Sequence, residues 1–197
     1  MKEILIATKN KGKIREFEQL LASLGFQVKS LLDLDETIDV VEDGETFQEN
    51  AAKKAETIAN KFQIPTLADD SGLIVDALNG RPGVFSARYA GENKDDQENL
   101  EKVLSELENV PDRNRGARFH CSLALAVPGE ETIIVDGTCE GTITRELIGE
   151  NGFGYDPIMY IPTQKRTMAQ LTDAEKNEIS HRSLALKKLK NLLVTKV

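Results

Sequence analysis

The chain of 197 residues has no tryptophan, two cysteines and two histidines, and its seven phenylalanines and three tyrosines make up 5% of the residues. Cys121 and Cys139 lie in separate apolar stretches without CxxC spacing, which excludes a disulfide framework and a zinc site built on cysteine pairs. Both read as small core residues. No apolar run is long enough to cross a bilayer as a helix. The opening segment Met1-Lys2-Glu3-Ile4-Leu5-Ile6-Ala7-Thr8 sets a charge pair before only four apolar residues, too few for the hydrophobic region of a signal peptide, so a cytoplasmic location is expected. Low-complexity tracts, internal repeats and linker-like composition are missing too, so residues 1–197 are expected to form a single domain. Positive charge is also in short supply. Lys and Arg number 25 against 33 Asp and Glu, a net charge of −8 that disfavours a general binder of nucleic acid or anionic membrane. An anionic substrate must therefore meet locally basic residues.

With 40% hydrophobic residues the chain can bury a core. Lys2 to Ala7 predicts a strand, and Ile14, Phe17, Leu20, Leu21 and Leu24 then recur at helical spacing up to Gly25. Phe26 to Leu32 reads as a second strand. Thr46-Phe47-Gln48-Glu49 has the form of a capping box opening a helix to about Phe62, after which Pro65 bars further helix. Thr66-Leu67-Ala68 reads as a buried strand delivering Asp69-Asp70-Ser71-Gly72, with extended chain from Leu73 to Leu78 and a turn at Asn79-Gly80. Leu100, Val103, Leu104 and Leu107 mark another amphipathic helix. Phe119 to Val127 and Thr132 to Cys139 predict strands joined by a loop. Gly149 to Pro157 is too rich in glycine for either regular element, and Thr172 to Leu193 reads as helical, opening with the capping-box pair Thr172 and Glu175. The mixture implies an α/β fold.

Several groups of residues carry chemistry. Thr8-Lys9-Asn10-Lys11-Gly12-Lys13 sits at a strand-to-helix junction where four basic residues, Lys9, Lys11, Lys13 and Arg15, fall within seven positions, a setting that suits phosphate. It lacks the glycine spacing of a Walker A loop or a dinucleotide fingerprint. Glu42, Asp43 and Glu45, then Asp69 and Asp70, are hard oxygen ligands of the kind Mg²⁺ takes together with substrate phosphates. Two carboxylates directly after an apolar strand are costly to desolvate without a cationic partner, and if the strand continues through them they face opposite sides. Lys53 stands one helical turn beyond Glu49, the spacing of a surface ion pair or of a substrate clamp. Phe153 and Tyr155, with Gly154 and Asp156, could offer a stacking face for a base or pin their loop to the core. Lys176 and Ser180-His181-Arg182 add donors near the start of the last helix, with Ser180 as a cap candidate.

These groups together describe a site for a nucleoside triphosphate, and the motifs that carry them resemble the inosine/xanthosine triphosphate pyrophosphatase family, the Ham1-like non-canonical purine NTP pyrophosphatases. The matching segments are Thr8 to Lys13, Gly44 to Ala51, Ala68 to Leu73, Gly80 to Tyr89, Gly152 to Pro157 and Glu175 to Arg182. The resemblance implies a homodimeric α/β protein with an elongated, curved mixed sheet flanked by helices and a cleft between two lobes. It implies Mg²⁺-dependent hydrolysis of ITP, dITP or XTP between the α and β phosphates. Carried over by motif, Thr8, Lys9, Asn10, Lys11, Gly12 and Lys13 hold phosphate, Asp70 is the general base and a metal carboxylate, and Ser71 touches substrate. Phe153, Gly154, Tyr155 and Asp156 border the nucleoside, with Lys176, His181 and Arg182 completing its binding. Family members often carry two acidic residues before the Gly-x-Thr-Phe motif. Here Val41 takes the first place and Glu42 remains as the second metal carboxylate. Lys13 and Lys53 are expected to offset charge on the phosphates, and Arg182 or His181 to donate to the 6-oxo group of hypoxanthine or xanthine. The runner-up is a house-cleaning pyrophosphatase for other modified nucleoside triphosphates. A nucleic-acid or membrane partner is not expected.

Overall fold

The computed structural model describes residues 2–34, 36 and 38–196, and shows an α/β protein. Strand β1 (Lys2–Ile6) leads through helix α1 (Lys11–Ala22) to β2 (Phe26–Ser30), which pairs with β1 in parallel from Lys2 opposite Phe26 to Ile6 opposite Ser30. Parallel pairing requires such a crossover. Helix α2 (Phe47–Phe62) opens on the expected capping box. The Thr46 hydroxyl accepts from the Glu49 N–H at 3.1 Å, and the Glu49 carboxylate accepts from the Thr46 N–H at 3.2 Å. Strand β3 (Thr66–Val75) follows, parallel to β1. A 3₁₀ turn at Asp76–Leu78, rather than extended chain, ends the segment before Asn79.

Helix α3 (Asp96–Glu106), strands β4 (Gly116–Ala126) and β5 (Ile133–Ile143), two short strands β6 (Met159–Ile161) and β7 (Arg166–Thr167), and helices α4 (Asp173–Ile179) and α5 (His181–Lys196) complete the chain. The sheet order is β2-β1-β3-β4-β5-β6-β7, with β6 antiparallel to both of its neighbours, so the sheet is mixed. The helical segment expected from Thr172 divides at the cap candidate Ser180, whose extended backbone closes α4, and the last helix opens at His181. Neither β6 nor β7 is foreseen from sequence, because two- and three-residue strands carry too little periodicity to register.

The chain divides into two compact units: one comprises the chain up to Asp70, Cys121–Gly137 and the chain from Arg182 onward, and the other Ser71–His120 and Thr138–His181. The unit boundaries fall inside β3, β4 and β5, so no single cut in the sequence separates them. In the first unit the strands bury both faces. Ile4, Ile6, Leu67, Cys121, Leu123 and Leu125 pack with Phe17 and Leu21 of α1 and with Ala185, Leu186 and Leu189 of α5. The alternate residues Leu5, Ala7, Ala68, Ala124 and Ala126 pack with Ala51, Ala55, Ile58 and Ala59 of α2. Burial on two faces explains why β1 reads as a continuous apolar run instead of an alternating one. The second unit has its own core around Leu73, Val75, Leu100, Val103, Phe119, Ile158 and Met168. Cys121 and Cys139 are free and buried, as expected of core residues. No helix among the described residues is long and apolar enough to cross a membrane.

Candidate active site

Strand β3 decides the geometry. Its side chains alternate, so Asp69 continues the face of Leu67, toward α1 and α5, and Asp70 continues the face of Ala68, toward α2. The prediction that the two carboxylates part company is met: Asp69 binds Lys13 of α1 at 2.9 Å and Arg182 of α5 at 3.0 Å, whereas Asp70 accepts from Asn50 of α2 at 3.0 Å.

Asp69 is buried to the point that desolvation alone would favour its neutral form, yet Lys13, Arg182 and Lys54 hold its carboxyl far below the usual carboxylate range. It is an ion-pair hub. Arg182, expected as a donor to the 6-oxo group of a base, is 1% exposed, and its guanidinium is clamped between Glu16 of α1 and Asp69. A buried guanidinium demands carboxylate partners, and α5 turns Arg182 inward beside Ala185 and Leu186 to meet them.

Asp70 behaves differently. Burial pushes its carboxyl up and Glu42 adds to the shift, while Lys54, Lys13 and the Asn50 hydrogen bond pull the other way, leaving it at about 6. Lys54 occupies the place the sequence reading gave to Lys53. Its ammonium donates to Glu42 at 2.6 Å and to the Asp69 carbonyl at 2.5 Å, and lies 4.0 Å from Asp70. Lys53 points outward to Asp43, with a side chain 44% exposed against 11% for Lys54. One position on a helix is a rotation of about 100°. The missed signal is visible in retrospect: Phe47, Asn50, Ala51, Lys54, Ala55 and Ile58 form the buried stripe of α2, and a lysine and an asparagine on a core-facing stripe need polar partners. Glu16, on the stripe of α1 with Phe17, carries the same signal.

Glu42 and Asp70 are the two carboxylates for which a cation site is expected. Both address a single ammonium, and Lys54 together with desolvation sets the balance at Glu42, whose carboxyl ends below its usual range. Among the described residues no group of three or more His, Cys, Asp or Glu is gathered to hold a metal. Two hard oxygen ligands fit Mg²⁺, which characteristically takes one or two carboxylates and completes its shell with substrate phosphates and water.

At the β1–α1 junction Asn10 caps α1, its side chain accepting from the Lys13 N–H at 3.1 Å, and Thr8 accepts from the Asn10 N–H. Lys9 pairs with Asp39, Lys11 is exposed and Gly12 is half-buried in the first turn. Of this basic group, Lys13 is the member turned toward Asp69.

The second unit holds the remaining candidates. Asp156 is buried, binds Lys176 at 2.6 Å and accepts from the Phe153 N–H at 3.0 Å. The turn is tight enough that a Cβ on Gly152, which has φ +80°, would fall 1.9 Å from Asp156 Oδ2. Tyr155 resolves toward the pinning alternative, since it is buried and its hydroxyl donates to the Ser86 carbonyl at 2.7 Å. The Gly154 N–H donates to Asp96 at 2.9 Å. Phe153 is half-buried with the Lys176 ammonium 4.8 Å from its ring centroid. His181 stacks on Phe119, centroids 5.0 Å apart, and Ser71 is half-buried in β3.

A mixed α/β sheet that brings a partly neutralised aspartate together with buried lysines and a second carboxylate defines a protein built for chemistry at phosphate. The sequence matches the Ham1 family over residues 4–192, and the chain belongs to that family. It is 64% identical to a dITP/XTP pyrophosphatase of Halalkalibacterium halodurans over 189 residues, 96% of this chain and 97% of that protein. Its fold superposes on the Ham1 protein of Staphylococcus aureus (TM-score 0.87, 45% identity, 100% of both chains) and on a HAM1 protein from Coxiella burnetii (0.88, 46%, 99% of this chain and 100% of that one).

Proposed function

We propose that the chain hydrolyses non-canonical purine nucleoside triphosphates, ITP, dITP and XTP, to the nucleoside monophosphate and pyrophosphate. The observation that carries this reading is the geometry at Asp70, a buried carboxylate that accepts from Asn50 at 3.0 Å and lies 4.0 Å from the Lys54 ammonium, which Glu42 shares; burial pushes its carboxyl up, as suits a base. The name of the 64% identical relative supports the substrate class. In this reading Asp70 takes a proton from the water that attacks the α-phosphorus. The bond to the β-phosphate oxygen breaks, and pyrophosphate leaves. Lys13 and Lys54 offset the charge that gathers on the phosphate oxygens. Mg²⁺, held by Asp70 and Glu42, would neutralise phosphate charge when bound. Thr8 to Lys13 contact phosphate, and Phe153, Gly154, Tyr155, Asp156, Lys176 and His181 serve the nucleoside. The family resemblance alone supports that last assignment, and likewise a cytoplasmic homodimer.

A panel of ITP, XTP, dITP, ATP and GTP, assayed for released pyrophosphate with and without Mg²⁺, tests the proposal. Turnover highest on ITP, dITP and XTP is expected. Release of orthophosphate overturns the bond assignment, and preference for modified pyrimidines moves the chain to the runner-up class.

A further inference from the structure

Asn50 is absent from the sequence-derived site. It lies on the core-facing stripe of α2, 1% exposed, where an apolar residue would otherwise be expected. Its amide is used in two directions. Nδ2 donates to Asp70 Oδ2 at 3.0 Å, and Oδ1 accepts from the Gly44 N–H at 2.8 Å. The two bonds need opposite polarity, a donor toward a carboxylate and an acceptor toward an N–H, and an amide in this orientation satisfies both.

Each bond reaches a different part of the acidic machinery. The first holds one oxygen of the Asp70 carboxylate and leaves Oδ1 on the side of Lys54. The second ties down the loop two residues beyond Glu42, whose carboxylate shares the same lysine. The loop approaches closely: a Cβ on Gly44 would sit 2.7 Å from Asn50 Oδ1 and 2.9 Å from Glu49 Cβ. Glycine at 44 is thus what allows the backbone N–H to reach the amide.

We infer that Asn50 is a positioning residue for the hydrolytic reaction, fixing the rotamer of Asp70 and the Glu42 loop as one unit. It acts through Asp70 and the Gly44 backbone. The inference rests on the proposed pyrophosphatase reading and adds to it the group that orients the base. General bases lose efficiency steeply when misplaced, an error of about 1 Å costing on the order of 100-fold.

The test compares the wild-type full chain with Asn50→Asp, Asn50→Ala and Gly44→Ala, measuring kcat and KM for ITP with Mg²⁺ and the thermal midpoint of each. Asn50→Asp keeps the acceptor for Gly44 and loses the donor to Asp70. Asn50→Ala loses both without adding charge. Gly44→Ala disturbs the amide from the loop side. In all three, kcat is expected to fall about 10- to 100-fold while KM stays within about threefold, in protein that is still folded at the assay temperature. A folded Asn50→Ala with kcat within threefold of wild type overturns the inference, and so does a loss confined to Asn50→Asp, which would reflect charge repulsion alone. If the wild type releases no pyrophosphate from ITP, the functional reading fails instead. Crystal structures of the wild type and Asn50→Ala then decide the positioning role: a turned Asp70 carboxylate in the variant supports it, and an unmoved one overturns it.

Discussion

The buried Asp–Lys contacts of the two units are built differently. In the second unit Lys176 donates to Asp156 at 2.6 Å, and the same carboxylate oxygen accepts from the N–H of Phe153 at 3.0 Å. The pair braces its loop. In the first unit the carboxylates of Glu16, Glu42, Asp69 and Asp70 share Lys13, Lys54 and Arg182. Lys54 is divided among Glu42, the Asp69 carbonyl and Asp70, and Asp70 is served least, at 4.0 Å. The difference teaches that burial of an ion pair is not what marks a reactive site. An uneven division of cations among buried carboxylates is, because it leaves one carboxylate able to take a proton near neutrality.

The largest effect that can break this comparison is at Asp70. Asp70→Asn is expected to lower kcat about 100- to 10,000-fold, measured as pyrophosphate released from ITP. The same substitution should stabilise the protein at pH 8. With its carboxyl at about 6 in the fold against a usual 3.8, the folded state binds more protons than the unfolded chain between those values. The group therefore weakens the fold above pH 6 and ceases to do so below about pH 4. A gain of roughly 1–3 kcal/mol at pH 8 that disappears at pH 4, followed by urea unfolding, is the expected signature.

Next in size is Lys54. Lys54→Met leaves Glu42, Asp69 and Asp70 short of a cation, and turnover should fall at least 100-fold. Retention of wild-type kcat would return the role to Lys53. The bracing pair in the second unit should respond in stability first. Asp156→Asn leaves the buried Lys176 ammonium uncompensated, with a loss of about 3–5 kcal/mol, and the double variant Asp156→Asn/Lys176→Met should recover part of it. Failure to recover would show that Asp156 acts mainly through the Phe153 N–H. The smallest effect belongs to Lys53→Ala. It removes an exposed ion pair with Asp43 and should shift stability by at most about 1 kcal/mol and turnover by less than threefold.

Much of this was legible in advance wherever the signal was local. The capping box at Thr46 and Glu49, the break at Pro65, the strand delivering Asp69 and Asp70 and the opposed directions of those two side chains follow from bonding and spacing within a few residues. So does the strand–loop–helix from Lys2 to Ala22. The choice of Lys53 over Lys54 failed because an Glu49–Lys53 spacing describes a helix surface and says nothing of what the adjacent residue meets when α2 packs on the sheet. The ion pairs of Arg182 were out of reach for a related reason: a helix-start arginine shows a donor, and its carboxylate partners come from elsewhere in the chain.

By itself, then, the sequence determined the elements, the apolar stripes and the chemical types available, because caps, turns and periodicity are set by neighbours along the chain. The tertiary structure alone decided which ionisable groups share a partner. Glu16 and Arg182 lie 166 residues apart, and Arg182 and Asp69 lie 113 apart. No local pattern encodes such pairings. They follow from the packing of α1, α2 and α5 on the strands, which sets the desolvation of each carboxylate and the cations within its reach, and so holds the Asp69 carboxyl down and pushes the Asp70 carboxyl up.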